Sequence, residues 1–248
     1  MRSLVSVIVP YFNRLEALEK AVKSVVDQTY RPLELILVND GGYEFNLPIE
    51  VAKRVSVKKI SFETNLGPAA ARNAGLQTAS GEFVAFLDSD DFWTETKLAN
   101  QIHEMVSRDI ELSHTSYVRR DSQTRFEEVI RSGSIDHGFL LMAFRCRIAT
   151  PTVVVRRDAI GDSLFDASIR VGEDILFWLA CCEKIGPSVG LAEPSCVVNV
   201  SGGSHFQSER NKAESLEAVN QFLAKKYPLL SIMHRIYIFF RKIIVKVM

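Results

Sequence analysis

A chain of 248 residues with 47% hydrophobic content can bury a sizeable core, as one large domain or two fused small ones. Its 30 basic and 30 acidic side chains cancel, which argues against a nucleic-acid-binding protein. The cancellation is uneven: residues 1–217 carry a net −6, whereas Lys225, Lys226, Arg235, Arg241, Lys242 and Lys246 follow with no acid among them. Cys146, Cys181, Cys182 and Cys196 have no CxxC spacing and read as reduced core thiols of a cytoplasmic protein.

In chain order, "LVSVIV" (4–9) is a β-branched run of the kind expected for a strand covered on both faces. Pro10 and Asn13 stop it early, so it reads as a first strand and not as a signal peptide. Asn13 followed by Glu16 fits a helix N-cap with its partner, and Leu15, Leu18, Val22 and Val25 continue at helical spacing. "LELILV" (33–38) is a second buried strand closed by the turn signal "NDGG". "VSVKKISF" (55–62) is a third, followed by an Ala-rich helix with Pro68 in its first turn. "EFVAFL" (82–87) is a fourth, and an amphipathic segment runs from about Thr94 to Val106. This alternation predicts a parallel sheet flanked by helices, with ligands beyond the carboxyl ends of its strands. Later, "TVVVRRDAI" (152–160) reads as a strand and a turn of helix, "RVGEDILFWLACCEKI" (170–185) as a helix entered through Gly172, and "SCVVNV" (195–200) as a strand. Residues 1–217 are taken as one compact unit and 218–248 as a separate basic extension.

The fourth strand runs straight into Asp88, Ser89, Asp90 and Asp91. Like charges this close need solvation or a counter-ion. The cluster is either a polar turn capping the next helix or an oxygen site for Mg²⁺ or Mn²⁺, which take one or two protein carboxylates and complete their shells with water and phosphate. Glu173 and Asp174 open a helix, where acids complement the dipole or supply a proton acceptor. Arg72 is either a solvated helix residue or a fork for a diphosphate. Asp40 is either an Asx-turn residue or the reader of a base or ribose.

Taken in order, "VSVIVPYFNR", "LELILVNDGG", "NLGPAAARNAG", "GEFVAFLDSDDFW" and "FDASIRVGEDILFWLA" resemble the family 2 glycosyltransferases over about residues 4–200. The resemblance implies a GT-A fold, a Rossmann-like, mostly parallel sheet flanked by helices. It also implies inverting transfer from a nucleotide-diphosphate sugar, with a UDP-sugar favoured, to a sugar or lipid-linked acceptor in surface polysaccharide or glycolipid assembly. Carried over by position, Pro10, Tyr11, Asn13 and Asp40 hold the nucleoside, and Arg72 lies near the phosphates. Ser89 and Glu173 complete the donor site, Asp88 reaches the ribose or the metal shell, and Asp90 ligates Mg²⁺ or Mn²⁺. Asp174 is the general base.

Some features depart from the family pattern. Asn39-Asp40-Gly41-Gly42 replaces the frequent Asp-Asp-Gly-Ser, and "QSERN" (207–211) lacks the Trp of the processive synthases. Non-processive transfer is therefore expected, with His205 read as a loop histidine. Two alternatives stay open: a non-catalytic nucleotide-sugar-binding protein, and a haloacid-dehalogenase-type phosphatase with Asp88 as nucleophile. Phe92 stands where the phosphatase pattern wants Thr or Val.

The segment 227–248 combines an apolar stripe (Ile232, Ile236, Phe239, Phe240, Ile243, Val247) with neighbouring bases, and its longest unbroken apolar run is 236–240. It falls short of the ~20 residues that span a bilayer. An in-plane helix on an anionic inner leaflet fits it, as does a helix packed on the domain or against a second copy. The first case would make the protein peripheral on the inner face of the plasma membrane.

Overall fold

The computed structural model describes residues 3–121, 124–200 and 209–247. Strand β1 (Val5–Tyr11) leads into helix α1 (Leu15–Val26), followed by β2 (Leu33–Asn39), α2 (Ile49–Arg54) and β3 (Ser56–Ser61). Then come α3 (Pro68–Thr78), β4 (Phe83–Phe86), β5 (Phe92–Trp93) and α4 (Lys97–Ser107). A hairpin of β6 (Leu112–Asp121) and β7 (Phe126–Ile130) precedes α5 (Phe139–Arg145), β8 (Val154–Arg156) and α6 (Arg157–Ile160). The chain continues as α7 (Glu173–Ile185), β9 (Val189–Asn199), α8 (Glu209–Lys226) and α9 (Pro228–Val247).

The described strands form one sheet in the order β3-β2-β1-β4-β8-β6-β9-β5, with β7 on β6. The section β3-β2-β1-β4 is parallel, as the alternation of strands and helices predicts. Beyond β4 the sheet is mixed. Strand β8 is antiparallel to both β4 and β6, while β6 and β9 pair in parallel. Two reversals cancel, so β1, β2, β4, β6 and β9 all bring their carboxyl ends to one edge. That edge carries the candidate site.

Period-two alternation builds the layers. Val5, Val7 and Val9 of β1 face Leu18, Val22 and Val25 of α1 and Leu98, Ile102 and Met105 of α4 in one fully apolar cluster. Ile8 points the other way, toward Phe86, Phe177 and Trp178. Both faces of the central strands are covered, which is why their sequence is a continuous apolar run.

Three features differ from expectation. Asn13 does not cap α1: both Asn13 and Arg14 are left-handed (φ 54° and 49°), and the Asn13 side-chain oxygen Oδ1 accepts from the Tyr43 amide at 3.0 Å. The β6–β7 hairpin was not legible, because its outer strand, FEEVI, lacks apolar–polar alternation and is exposed throughout most of its length. Position 217 lies inside α8, which packs Val219 and Leu223 into the core cluster of α7.

At the opposite edge, buried Glu34 staples β2 to its neighbours. It accepts from Ser6 Oγ at 2.6 Å, the Ser80 amide at 2.7 Å and Lys58 Nζ at 2.8 Å. Burial alone would raise its pKa, but Lys58, Ser6 and Ser80 outweigh this and hold it at about 2, against an ordinary 4.5. A carboxyl depressed in the fold stabilises above its unfolded pKa and stops doing so as pH falls through its folded one. Glu34→Gln should therefore lose about 2 kcal/mol at neutral pH, or ~4–8 °C in Tm. Thermal unfolding against pH should show the gap to the parent closing between 4.5 and about 2.

Candidate active site

Beyond β4 the chain turns sharply, the Asp91 amide donating to the Asp88 carbonyl at 3.0 Å. Asp88, Ser89 and Asp90 are half-buried there, while Asp91 is 3% exposed. Asp91 faces inward, accepting from the Asn199 amide at 2.8 Å, and the Asn199 side chain donates to the Asp90 carbonyl. The end of β9 thus clamps the acidic turn from beneath. Burial, reinforced by Asp88 and Asp90, pushes the Asp91 carboxyl well up. Burial also raises Asp90, with Asp88 adding to it and Arg14 opposing.

Arg72, in the second turn of α3, is 5% exposed and joins the turn to α7. One terminal nitrogen donates to Asp88 Oδ1 at 2.8 Å and the other to Glu173 Oε1 at 2.9 Å. Its Cζ lies 5.4 Å from the centre of the Phe165 ring. Burial alone would lower the Arg72 pKa; Asp88 and then Glu173 raise it above its usual value. Arg72 is thus a bridge between carboxylates, and both ends of its fork are taken, in contrast to the free diphosphate grip expected from the sequence. Burial, then the adjacent Asp174 charge, raise the Glu173 carboxyl in spite of the Arg72 pair.

Asp174 is half-buried at the head of α7. Its two oxygens accept separately, one from Thr150 Oγ1 at 3.1 Å and one from the Ile175 amide at 2.8 Å. Each keeps a further lone pair. Gly172 enters the helix at φ 90°, and a Cβ there would come within 2.8 Å of Ser215 Oγ on α8. Only glycine combines that conformation with that approach. Behind the helix head, Phe165 stacks on Phe177 at 3.9 Å and Trp178 meets Phe86 edge-on at 5.8 Å. This aromatic block fixes where α7 begins.

At the β1–β2 end, Pro10 and Tyr11 are buried, and the Tyr11 hydroxyl accepts from the Phe45 amide at 3.4 Å. Asp40 is 4% exposed and accepts from the Leu66 and Gly67 amides at 2.7 and 2.9 Å. Its hydrogen bonds are those of a loop clasp, not of an open base reader. Gly41 (φ 75°) permits this closure, since a Cβ would sit 2.4 Å from the Thr64 carbonyl carbon. The accessible groups at this end include Phe12 and Tyr43, 45% and 74% exposed, of which sequence reasoning passed over Tyr43. It also missed Thr150, Asn199 and Arg14. The Arg14 side chain is 49% exposed and pairs with Asp90 at 2.8 Å.

That pair bears on the metal expectation. Asp88 and Asp90 offer hard oxygen ligands, 31% and 28% exposed, and Asp90 already attracts a cation in the form of Arg14. No three His, Cys, Asp or Glu side chains converge on one point among the described residues. Mg²⁺ or Mn²⁺ bound through one or two carboxylates plus ligand phosphates asks for no more, so the residues fit. His205, Gln207 and Ser208 lie outside the described residues.

A family model described as "Glycosyl transferase family 2" matches residues 6–156. The chain belongs to that family. An uncharacterized glycosyltransferase of Rickettsia bellii is 38% identical over 182 residues, 73% of this chain and 26% of the relative. The chain spans only about a quarter to a third of the length of three rickettsial relatives. The Escherichia coli enzyme named UDP-Glc:alpha-D-GlcNAc-diphosphoundecaprenol beta-1,3-glucosyltransferase WfaP is 31% identical over 183 residues, 73% of this chain and 71% of that protein. S. aureus TarS 1–349 in complex with UDP superposes with a TM-score of 0.69 at 20% identity, over 89% of this chain and 65% of that one. The Pyrobaculum calidifontis mannosyltransferase PcManGT with GDP-Man and Mn²⁺ gives 0.60 at 16%, over 94% and 78%. These two likenesses establish the GT-A fold. Family membership also removes the phosphatase alternative.

The bridge should be costly to break. Arg72→Met leaves Glu173 buried without its cation and should lower stability by roughly 3 kcal/mol, ~6–12 °C in Tm. Arg72→Lys keeps one charge but cannot reach both carboxylates, and should recover about half of that. Calorimetric or fluorescence melts of the two variants would check this.

Proposed function

We propose that this chain is a non-processive inverting glycosyltransferase. It moves one sugar from a nucleotide-diphosphate sugar to an acceptor hydroxyl with the aid of Mg²⁺ or Mn²⁺. The observation that carries the reading is the Arg72 bridge. It ties Asp88, at the carboxyl end of β4, to Glu173, the neighbour of Asp174, which supports one shared site for the carboxylates assigned here to donor and acceptor.

In this reading the nucleoside lies over the loops after β1 and β2, where Phe12 and Tyr43 present exposed aromatic faces to a base. Asn13 holds Tyr43 in place, and Asp40 pins the loop that leads into α3. Pro10, Tyr11, Ser89 and Glu173 shape the donor site around them. The diphosphate comes to Asp88 and Asp90, which would hold the divalent ion. That ion would neutralise charge developing on the leaving diphosphate, an effect worth several kcal/mol in such sites. Arg14 is the guanidinium that a diphosphate can reach, since Arg72 is sealed beneath the turn.

Asp174 takes the proton from the acceptor hydroxyl, which attacks the anomeric carbon from the face opposite the nucleotide. Thr150 and the Ile175 amide each hold one carboxylate oxygen and so fix its plane. Thr150 is a positioning residue. The donor favoured is a UDP-sugar, consistent with UDP-Glc in the name of the Escherichia coli relative and UDP in the TarS complex. The same relative's name supports a lipid-linked acceptor and a place in surface polysaccharide or glycolipid assembly. A lipid-linked acceptor would make the protein peripheral, at the inner face of a membrane.

Asp174→Asn should keep donor binding, read as a thermal shift with UDP-sugar and Mn²⁺, and lose 10²- to 10⁴-fold in turnover, roughly the worth of a general base. Thr150→Val should lose ~10-fold in kcat with the donor KM unchanged. Turnover should vanish in excess chelator and return with Mn²⁺ or Mg²⁺. Wild-type turnover by Asp174→Asn would exclude the base assignment, and full activity in chelator would exclude the metal.

A further inference from the structure

Helix α9 has two faces of different fate. Its inner face is used: Leu230 joins the core cluster of α7, Ser231 hydrogen-bonds Asn220 of α8 at 2.9 Å, and His234 packs edge-on to Phe144 at 5.3 Å. Lys226 and Tyr227 anchor the preceding turn on Glu183 of α7, at 2.8 and 2.5 Å. The outer face is exposed to solvent. Leu229, Ile232, Met233, Ile236 and Phe239 are exposed by 78, 56, 56, 52 and 61%. Their spacing puts all five on one stripe, ~15 Å long at the helical rise. The sequence repeats apolar residues at Phe240, Ile243 and Val247.

We infer that this stripe is a docking surface for an anionic lipid bilayer, with α9 lying in the plane of its interface. Charge selects this occupant. Residues 218–248 hold six bases and no acid. At 100° per residue the helix places positions 235, 242 and 246, all basic, in one row along the edge of the stripe. An apolar stripe flanked by bases matches acyl chains bordered by anionic headgroups. A second copy meeting the same face antiparallel across a two-fold axis would set these rows on one side of the seam, like charge facing like. No described helix is long and apolar enough to cross a membrane, so α9 lies on the surface.

The direction of the helix gives the contact a use. α9 runs alongside α5, from Tyr227 beside Phe139 at 5.2 Å to Tyr237 beside Phe144 at 5.6 Å. Past the end of α5 lies Thr150, bonded to Asp174. The helix therefore runs toward the end of the molecule that holds the proposed base. A bilayer bound along α9 lies near the acceptor side of the site. The surface itself does not depend on the transfer reading.

The test is flotation of the whole chain with vesicles of phosphatidylcholine alone or mixed with phosphatidylglycerol, without donor or acceptor. Binding should require the anionic lipid and fall in high salt. Ile232→Glu with Ile236→Glu, both at solvent-exposed positions, should abolish flotation while leaving Tm unchanged. Neutralising Arg235, Lys242 and Lys246 to Gln should weaken binding by ~100-fold, at about tenfold or less per charge near such a surface. Equal flotation of the acidic variant would overturn the inference, as would absence of binding to anionic vesicles. So would a parent dimer, by sedimentation, that the acidic pair dissociates, because the face would then belong to a second copy. Failure in any of these ways leaves donor binding and turnover untouched, so it is distinguishable from failure of the enzymatic reading.

Discussion

A buried guanidinium needs its charge answered from more than one side, and in this fold Arg72 is answered by two carboxylates 85 residues apart in sequence: Asp88 and Glu173. Either acid alone would be poorly placed, Asp88 among other acids and Glu173 in an apolar surround with Asp174 beside it. The cation resolves both problems at once. It lets the end of β4 and the head of α7 approach without mutual repulsion, so Asp88 is held beside Glu173 and its neighbour Asp174. Breaking a buried pair by removing one partner costs ~3–5 kcal/mol, which makes the bridge a fastening as well as an electrostatic device.

The rest of the site is held by tight turns and by polar contacts from neighbouring side chains. Asn13 and Arg14 take left-handed conformations, which cost of order 1–2 kcal/mol per non-glycine residue. That turn aims Asn13 at the Tyr43 amide and Arg14 at Asp90. Asp40 clasps the loop into α3, Asn199 clamps the acidic turn, and Thr150 steadies Asp174. Asn73, next to Arg72, exchanges two hydrogen bonds of 2.8 Å with the Phe165 backbone, which locks α3 against the aromatic block behind α7. Rigid surroundings of this kind fit a site whose work is orientation and charge neutralisation.

The parallel half of the sheet could be read from the chain because its strands are buried on both faces and therefore continuously apolar. Gly172 and Pro68 likewise marked helix starts through their backbone chemistry. The β6–β7 hairpin carried no such signal, since β7 alternates nothing that a core would select. Local sequence also misassigned burial. Arg72 and Asp40 look like surface residues with free polar ends, and only tertiary contacts reveal that partners from other segments occupy those ends. Thr150 and Asn199 were illegible for the same reason, as their significance lies wholly in what the fold sets beside them. Asp88, Asp90 and Asp174 could be picked out as candidates because an acidic cluster at a strand end, or at a helix entered through glycine, is itself chemically unusual.

In the proposed reading, a site organised by Arg72 holds the activated sugar between the acidic turn and Asp174. A crystal structure of the Asp174→Asn chain with an intact UDP-sugar and Mn²⁺ tests it most directly. The diphosphate should lie at Asp88 and Asp90, with residue 174 on the opposite face of the anomeric carbon. A nucleotide sugar seated away from the carboxylates, or a sugar turned so that residue 174 lies on the diphosphate side, would contradict it.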